Sequence, residues 1–472
     1  MNALLLHDQL DSATERFGDR VAVRSGAKAY TFTALTDISH RVAAALLERG
    51  LGPGDRVCVS VHADADAVVA SLALGRIGAV LVPMNANAPE VDRKAIVAMT
   101  EPALVVGSDP DAAMTLSELV ALRGKQDRCA IEVDERATHI MYFTSGTTGT
   151  PKGVEISHRA DYLRALAIGT PVPRGPFVCM FPQFHMAGWS LAQGCWASGE
   201  EVVYVDGGDT RALLEALAAH RAHRIYAIPA VLRRMLDADR SQLDLSALQV
   251  IDTGTSATSP ELLAEVAAQF PGTETSVAYG SSEAGAVCML RPSEIADHPG
   301  SVGRAVPGVR VRISETGELE ACSPFLFSRY YRNPEATARA LVDGWYRTGE
   351  VAEQDADGYV RIVGRVHDII RSGGESVPPT AVDRVLADHP AIADVAVAGV
   401  PDEYWGEIVT AFVVLKPGSQ LDLDGLRGHC AARLAAPQQP RRLEFVDAIP
   451  RSAATGQIQR HMLVKALAAG TG

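Results

Sequence analysis

Apolar positions along the chain change their period repeatedly, and each change predicts an element. From Leu4 to Phe17 they recur near helical spacing, and Tyr30-Thr31-Phe32-Thr33-Ala34-Leu35 introduces a second helix through about Glu48. Gly50-Leu51-Gly52-Pro53-Gly54-Asp55 breaks that helix and hands over to a β-branched run from Arg56 to Ser60. A helix around Ala67 to Ile77 and a strand at Ala79 to Pro83 follow. Farther on, Ile140 to Phe143 reads as a buried strand, Arg224 to Pro229 as another, and Ala230 to Leu236 as a helix. Helices alternating with apolar strands predict α/β layers around a mostly parallel sheet. Towards the end, Asp357-Gly358-Tyr359 forms a hairpin turn into Val360 to Val363. A strand at Val409 to Leu415 and a helix near Leu423 to Leu434 then complete an α+β lobe.

Composition narrows the class. A length of 472 residues exceeds one ordinary core, so two or more domains are expected. The 47% hydrophobic and 21% charged fractions are those of a globular protein in water. A net charge of −13 argues against nucleic-acid or anionic-membrane partners, while a local basic site for an anionic ligand stays open. The start, MNALLLHDQL, lacks a basic segment followed by a longer apolar one, and no membrane-spanning run occurs. The seven cysteines are scattered without a Cys-x-x-Cys pair, so reduced thiols and a cytoplasmic location are expected, with no metal cluster or disulfide framework.

Candidate chemistry concentrates after the Ile140 strand, in Thr144-Ser145-Gly146-Thr147-Thr148-Gly149-Thr150-Pro151-Lys152-Gly153. Glycine lets the backbone approach closely, so such a loop can turn several N–H and hydroxyl donors on one anion while lysine adds positive charge. A polyphosphate is the natural guest. The Walker pattern is excluded, because Lys152 follows Gly149 by three positions and no Ser or Thr succeeds it. A glycine- and threonine-rich surface turn is the alternative reading of composition alone.

These residues resemble the phosphate-binding signature of the adenylate-forming superfamily: acyl-CoA synthetases, peptide-synthetase adenylation domains and beetle luciferases. The look is closest to bacterial fatty-acyl or aryl-CoA ligases. Further stretches carry the resemblance in the same order. Ala278-Tyr279-Gly280-Ser281-Ser282-Glu283 is similar to the family's Tyr-Gly-x-Thr-Glu, which implies that Tyr279 stacks on adenine beside Gly280, Ser282 touches the α-phosphate, and Glu283 holds Mg²⁺. An aromatic face suits a purine, and a hard cation needs oxygen ligands. A helix cap is the other reading of Ser281 or Ser282. Phe184-His185 with Gly188 resembles the segment bordering the acyl pocket, so His185 is expected as a wall or gate, and a structural histidine is the alternative. At Gly254-Thr255-Ser256-Ala257 the family's small residues give way to hydroxyls, implying a more polar pocket floor from Gly254, Thr255 and Ser281.

The C-terminal motifs carry the departures. Trp345-Tyr346-Arg347-Thr348-Gly349-Glu350 resembles Trp-x-x-Thr-Gly-Asp, whose aspartate accepts the ribose hydroxyls, so Glu350 inherits that contact with one extra methylene. In Gly364-Arg365-Val366-His367 the resemblance implies that Arg365 contacts the nucleotide and that His367 is the hinge, where aspartate or lysine is usual. It also implies that Ser372-Gly373-Gly374 swings in for a second half-reaction. Relatives end with Pro-Arg-x-x-x-Gly-Lys-Ile, and that lysine meets the charge developing between carboxylate and α-phosphate. Here Gln457 stands in its place, with one extra residue before it.

The resemblance therefore implies a large N-terminal adenylating domain, 1–364, of parallel-sheet α/β layers plus a distorted barrel. A small mobile α+β lid, 365–472, would follow. The expected catalytic residues are Lys152, Glu283, Arg365 and Gln457, with Thr144, Ser145, Gly146, Thr147 and Thr148 around the phosphates. The expected activity is ATP-dependent conversion of a carboxylic acid to an acyl-adenylate and then to a thioester of CoA. Alternatives are a different acceptor (an amine or a carrier protein), nitrite as the acid in a diazotase, or an activity-impaired relative or Lys→Gln variant.

Overall fold

The computed structural model describes residues 3–109, 111–129, 131–144, 151–168, 175–431, 433–452 and 456–470. They fall into two compact units, Met1–Val311 with Ala321–Tyr346, and Arg312–Glu320 with Arg347–Gly472.

The larger unit holds two sheets. One has nine strands, in which Val250–Gly254 and Glu274–Ser281, Arg224–Tyr226, Phe177–Cys179, Val202–Tyr204 and Val21–Ser25 run parallel, with antiparallel strands at both edges. The other has six, placing Lys152–Ser157 and Thr138–Thr144 beside Val80–Asn85, Arg56–Val61 and Leu104–Val106. Most predicted elements are present near their expected limits. The first helix is Leu6–Phe17 and the second Phe32–Glu48, whose Thr31 cap accepts from the Ala34 N–H at 3.1 Å. The helix expected at Ala67 starts at Ala65, because the Asp64 side chain caps it, and all twelve of its residues are buried. A helix buried all round must satisfy its own charges. Arg76 does so on Asp11 (2.5 and 2.9 Å) and Ser39, and Asp66 on Lys28 and Tyr30.

The strand expected to reach Pro229 stops at Tyr226. Proline has no N–H for a ladder and is preorganised for a first helical turn, so Pro229 opens the helix Pro229–Asp237 instead.

In the smaller unit one sheet runs Glu375–Val377, Ile370–Ser372, Gly406–Leu415, Ile392–Asp402, with Arg442–Phe445 parallel to Gly406–Leu415. Alternation along its long hairpin sends Val395, Val397, Val409, Ala411 and Val413 to one face, packed with Val382, Leu386 and Leu426. Ala396, Ala398 and Phe412 go to the other face, packed with Ile449 and Leu463. Each such burial stabilises by about 1.5–3 kcal/mol for a Val- or Leu-sized side chain. The helix expected to reach Leu434 ends at Cys430. The fold is α/β with a large and a small part as expected, but no strand pairing among the described residues closes a barrel.

Candidate active site

Antiparallel pairing of Thr138–Thr144 with Lys152–Ser157 sets Thr144 directly opposite Lys152. The two ends of the expected phosphate loop are thereby fixed, while Ser145, Gly146, Thr147 and Thr148 lie outside the described residues. The base of this hairpin is anchored in a buried polar cluster. Asp161 Oδ2 accepts from His139 Nδ1 (3.0 Å), Trp189 Nε1 (2.8 Å) and Gln193 Nε2 (3.1 Å).

From the mouth of the hairpin a short chain of groups leads to Glu283. Lys152 Nζ lies 5.3 Å from the centroid of the Tyr330 ring, within cation–π range, and the Tyr330 hydroxyl donates to Glu283 Oε1 at 2.9 Å. Burial and the Glu283 charge both push the Tyr330 phenol up, so it stays a proton donor at neutral pH. Tyr346 is buried beside it, 5.6 Å from the Phe327 ring, and shares a hydrogen bond with Ser281. The backbone of Glu283 is clamped by Arg164, a fully buried side chain whose guanidinium donates to the carbonyls of Ser282 (3.0 Å), Glu283 (2.8 Å) and Phe325 (3.0 Å). Tyr279 and Gly280 stand on the strand Glu274–Ser281, which turns through Ser282 and Glu283 into Gly285–Leu290. No helix begins here, so the helix-cap reading of these serines is corrected: Ser281 Oγ accepts from the Ala284 N–H at 3.1 Å within a strand-to-strand turn.

His185 stacks on Phe181 with centroids 5.2 Å apart, and Tyr226 meets the same ring edge-on at 5.3 Å. His185 caps the helix Met186–Ala197, with Nδ1 accepting from the Ala187 N–H at 3.2 Å, and burial lowers its pKa to about 4. It is therefore neutral near pH 7 with its proton on Nε2, and it offers that group as a donor. Gly254 ends the strand Val250–Gly254, where a Cβ would collide with the Ala278 carbonyl oxygen and the Tyr226 hydroxyl. The next residue, Thr255, has φ of +66°, a left-handed conformation that a β-branched residue seldom adopts.

In the smaller unit Glu350 and Arg365 face each other across an antiparallel pair, with Arg365 Nε 3.4 Å from Glu350 Oε1. Burial raises the Glu350 pKa, with Arg365 opposing that shift. Thr348 donates to the Leu319 carbonyl at 2.8 Å, and the Gly349 N–H to Glu318 Oε1 at 2.8 Å, which fixes the backbone before Glu350. Arg365 Nη2 donates to Gln457 Oε1 at 2.7 Å. His367 is exposed in the turn that follows. Ser372 is buried, and Gly373 and Gly374 (φ of +60° and +84°) form a two-residue hairpin that L side chains would strain. The Gly373 N–H donates to the Trp405 carbonyl at 2.8 Å, and the Trp405 ring takes the Arg441 guanidinium at 3.8 Å.

Sequence reasoning missed Tyr330, Arg164, Tyr226 and Trp405. The signal for Tyr330 was an aromatic pair, Tyr330-Tyr331, just before the Asn333-Pro334 helix start. Arg164, one charge within Leu163-Arg164-Ala165-Leu166, gave none.

Glu283 offers one largely buried carboxylate, and no cluster of three or more His, Cys, Asp or Glu side chains able to hold a metal occurs among the described residues. That donor set fits Mg²⁺, which commonly takes one or two carboxylates and completes its shell with phosphate oxygens and water.

Residues 10–331 match the model of the AMP-binding enzyme family, and residues 381–455 that of the AMP-binding enzyme C-terminal domain. A 3-[(3aS,4S,7aS)-7a-methyl-1,5-dioxo-octahydro-1H-inden-4-yl]propanoyl:CoA ligase from Rhodococcus jostii is 32% identical over 96% of this chain and 97% of that protein. A feruloyl-CoA synthase from an Amycolatopsis species is 31% identical over 91% and 92%. Among solved structures, ATP-bound MatB from Rhodopseudomonas palustris superposes with a TM-score of 0.89 at 25% identity, over the full length of both chains. The amide bond synthetase McbA from Marinactinospora thermotolerans gives 0.84 at 27%, over 98% and 99%. With the matched model spanning residues 10–331, most of the chain, this chain belongs to the AMP-binding enzyme family.

Proposed function

We infer that this chain is an AMP-forming acid–thiol ligase that joins a carboxylic acid to CoA at the expense of ATP. A carboxylate oxygen attacks the α-phosphorus, the bond to the pyrophosphate oxygen breaks, and an acyl-adenylate and pyrophosphate result. The CoA thiolate then attacks the acyl carbon, AMP departs, and a thioester is left. The observation that carries this reading is the run from Lys152 through Tyr330 to Glu283, which sets a cation and an anion at the end of the Thr144 hairpin. Lys152 is proposed to neutralise the β- and γ-phosphates. Glu283 would hold Mg²⁺, which when bound supplies neutralising charge on the phosphate oxygens. Tyr279 is proposed as the adenine platform, Ser282 as a donor to the α-phosphate, and Glu350 as the ribose acceptor.

His185, Gly254 and Thr255 are proposed to line the acid pocket. There the neutral Nε2–H donor and the threonine hydroxyl would favour an acid carrying a hydrogen-bonding group. Rotation about His367, bringing the Ser372-Gly373-Gly374 hairpin into use, is proposed for the thioester step. A hinge needs a backbone free to change φ and ψ rather than a given charge, and His367 sits exposed in a turn. All seven cysteines are free thiols, which supports a reducing cytoplasm. No helix of the described residues is long and apolar enough to cross a membrane.

The test is pyrophosphate release with ferulate, 4-coumarate, indole-3-acetate and octanoate, each with and without CoA. Release with at least one acid, and thioester formed only when CoA is present, is expected. Release that is indifferent to every acid, or an acyl product on an amine in preference to CoA, would overturn the reading.

A further inference from the structure

Residue 457, the position where the resemblance expects a catalytic lysine, is held by its own loop. The Ser452 N–H donates to the Gln457 carbonyl (2.8 Å), the Gly456 N–H donates to the Ser452 carbonyl (2.8 Å), and Arg451 pairs with Ile458 in an isolated bridge. Arg451 in turn grips both oxygens of Asp394, at 2.8 and 3.0 Å. From this anchored backbone the side chain reaches Arg365, 92 residues earlier in the chain, through Oε1 at 2.7 Å.

We propose that Gln457 is a positioning residue that aims Arg365, and that in this chain Arg365 serves as the cation expected from a lysine at 457. This rests on the acid-activating reading above. The chemistry of the two side chains carries it. An amide carbonyl is a neutral acceptor, so it orients a guanidinium without cancelling its charge. Arg365 has five N–H donors and keeps 44% of its side chain exposed, which leaves donors for an anionic ligand after Gln457 and Glu350 have each taken one. A lysine at 457 has three donors and no acceptor, so it could not hold that guanidinium as Gln457 Oε1 does. The glutamine is thus matched to Arg365. Arg365 precedes and Gln457 follows His367, so a rotation there separates them, and the effect belongs to acid activation alone.

The test uses the full chain with the acid of the four above that it turns over fastest. Gln457→Met keeps the length and removes the acceptor, and it is expected to lower kcat for pyrophosphate release about three- to tenfold, the range for losing one charge-assisted hydrogen bond at a half-exposed site. Thioester formation from preformed acyl-adenylate should stay within twofold. Gln457→Glu keeps an acceptor oxygen but adds a second carboxylate that cancels the guanidinium charge, so it should stay well below native, and a glutamate variant equal to native would overturn the claim that a neutral acceptor is needed. Gln457→Lys should be slower than the native chain. A faster lysine variant, or a methionine variant equal to native, overturns the proposal, because position 457 would then act on the substrate directly or not at all. Calorimetric titration with ATP gives an arm that needs no acid: Gln457→Met should weaken ATP about threefold, and a lysine variant that binds ATP more tightly than native refutes the proposal. Failure of every acid with native protein, with the ATP arm as expected, would instead count against the acid-activating reading.

Discussion

Glu283 and Arg365, the charged groups at the centre of the two described sites, are held in opposite ways. Glu283 is largely buried, with its carboxylate on Tyr330 and its backbone clamped by Arg164. Arg365 is itself nearly half exposed and is held by two side chains, the mostly buried Glu350 and Gln457. A group fixed by buried, mutually dependent hydrogen bonds tolerates little change in its neighbours, whereas one that is itself half exposed can be re-aimed by a single substitution. The sequence departures from the resembled motifs that change a charged position, Glu350 apart, are His367 and Gln457, and both lie in the smaller unit.

The comparison would be broken most directly at Arg164. Arg164→Met leaves three carbonyls without their donor in a dry site, so a loss of about 3–5 kcal/mol in unfolding free energy is expected, read by urea denaturation. Arg365→Met should cost less than that, since Arg365 itself is nearly half exposed and Glu350 is the only carboxylate that loses a partner. Similar losses for both would erase the distinction.

Next in size, Glu283→Gln should reduce pyrophosphate release ~10²- to 10³-fold while leaving the melting temperature near native, because the amide still accepts from Tyr330. Native turnover in that variant would rule out the metal-holding role proposed for Glu283.

The buried cluster behind the hairpin sharpens the picture through pH. His158 is fully buried and its pKa lies well below the ordinary value, chiefly from desolvation; His7, beside it, is lowered to about 3 for the same first reason. A folded-state pKa below the unfolded value near 6.5 means that the unfolded chain binds more protons. Stability is therefore complete above pH ~6.5 and is lost as pH falls towards 3, by up to about 1.4 kcal/mol per pH unit for each histidine. Denaturation midpoints between pH 7 and 5 should show this slope, and His158→Gln should reduce it by one histidine's share. An unchanged slope in that variant would place the titration elsewhere.

The smallest effect concerns Thr255. Left-handed strain of ~1–2 kcal/mol at a non-glycine residue exceeds the ~0.4–1 kcal/mol that glycine costs through the unfolded chain, so Thr255→Gly should raise the melting temperature slightly. A lower melting temperature would show that contacts of the threonine side chain outweigh the strain.

The sequence by itself determined the local elements and the identity of the charged groups. Period and punctuation set the Phe32–Glu48 helix, the Arg56–Val61 strand and the hairpin turn at Gly358, because side-chain spacing and backbone-specific residues act within a few positions of themselves. The motifs likewise named Lys152, Glu283 and Arg365. Only tertiary structure decided what those groups touch. Tyr330 reaches Glu283 across 47 positions, Arg164 reaches the same backbone across 119, and Gln457 reaches Arg365 across 92. A hydrogen bond depends on placement to within a few tenths of an ångström, and that placement is the sum of every strand register and helix packing between the partners. Gln457 shows the consequence most plainly. Read along the chain it is a lysine lost; in the folded protein it is an acceptor for the guanidinium that remains.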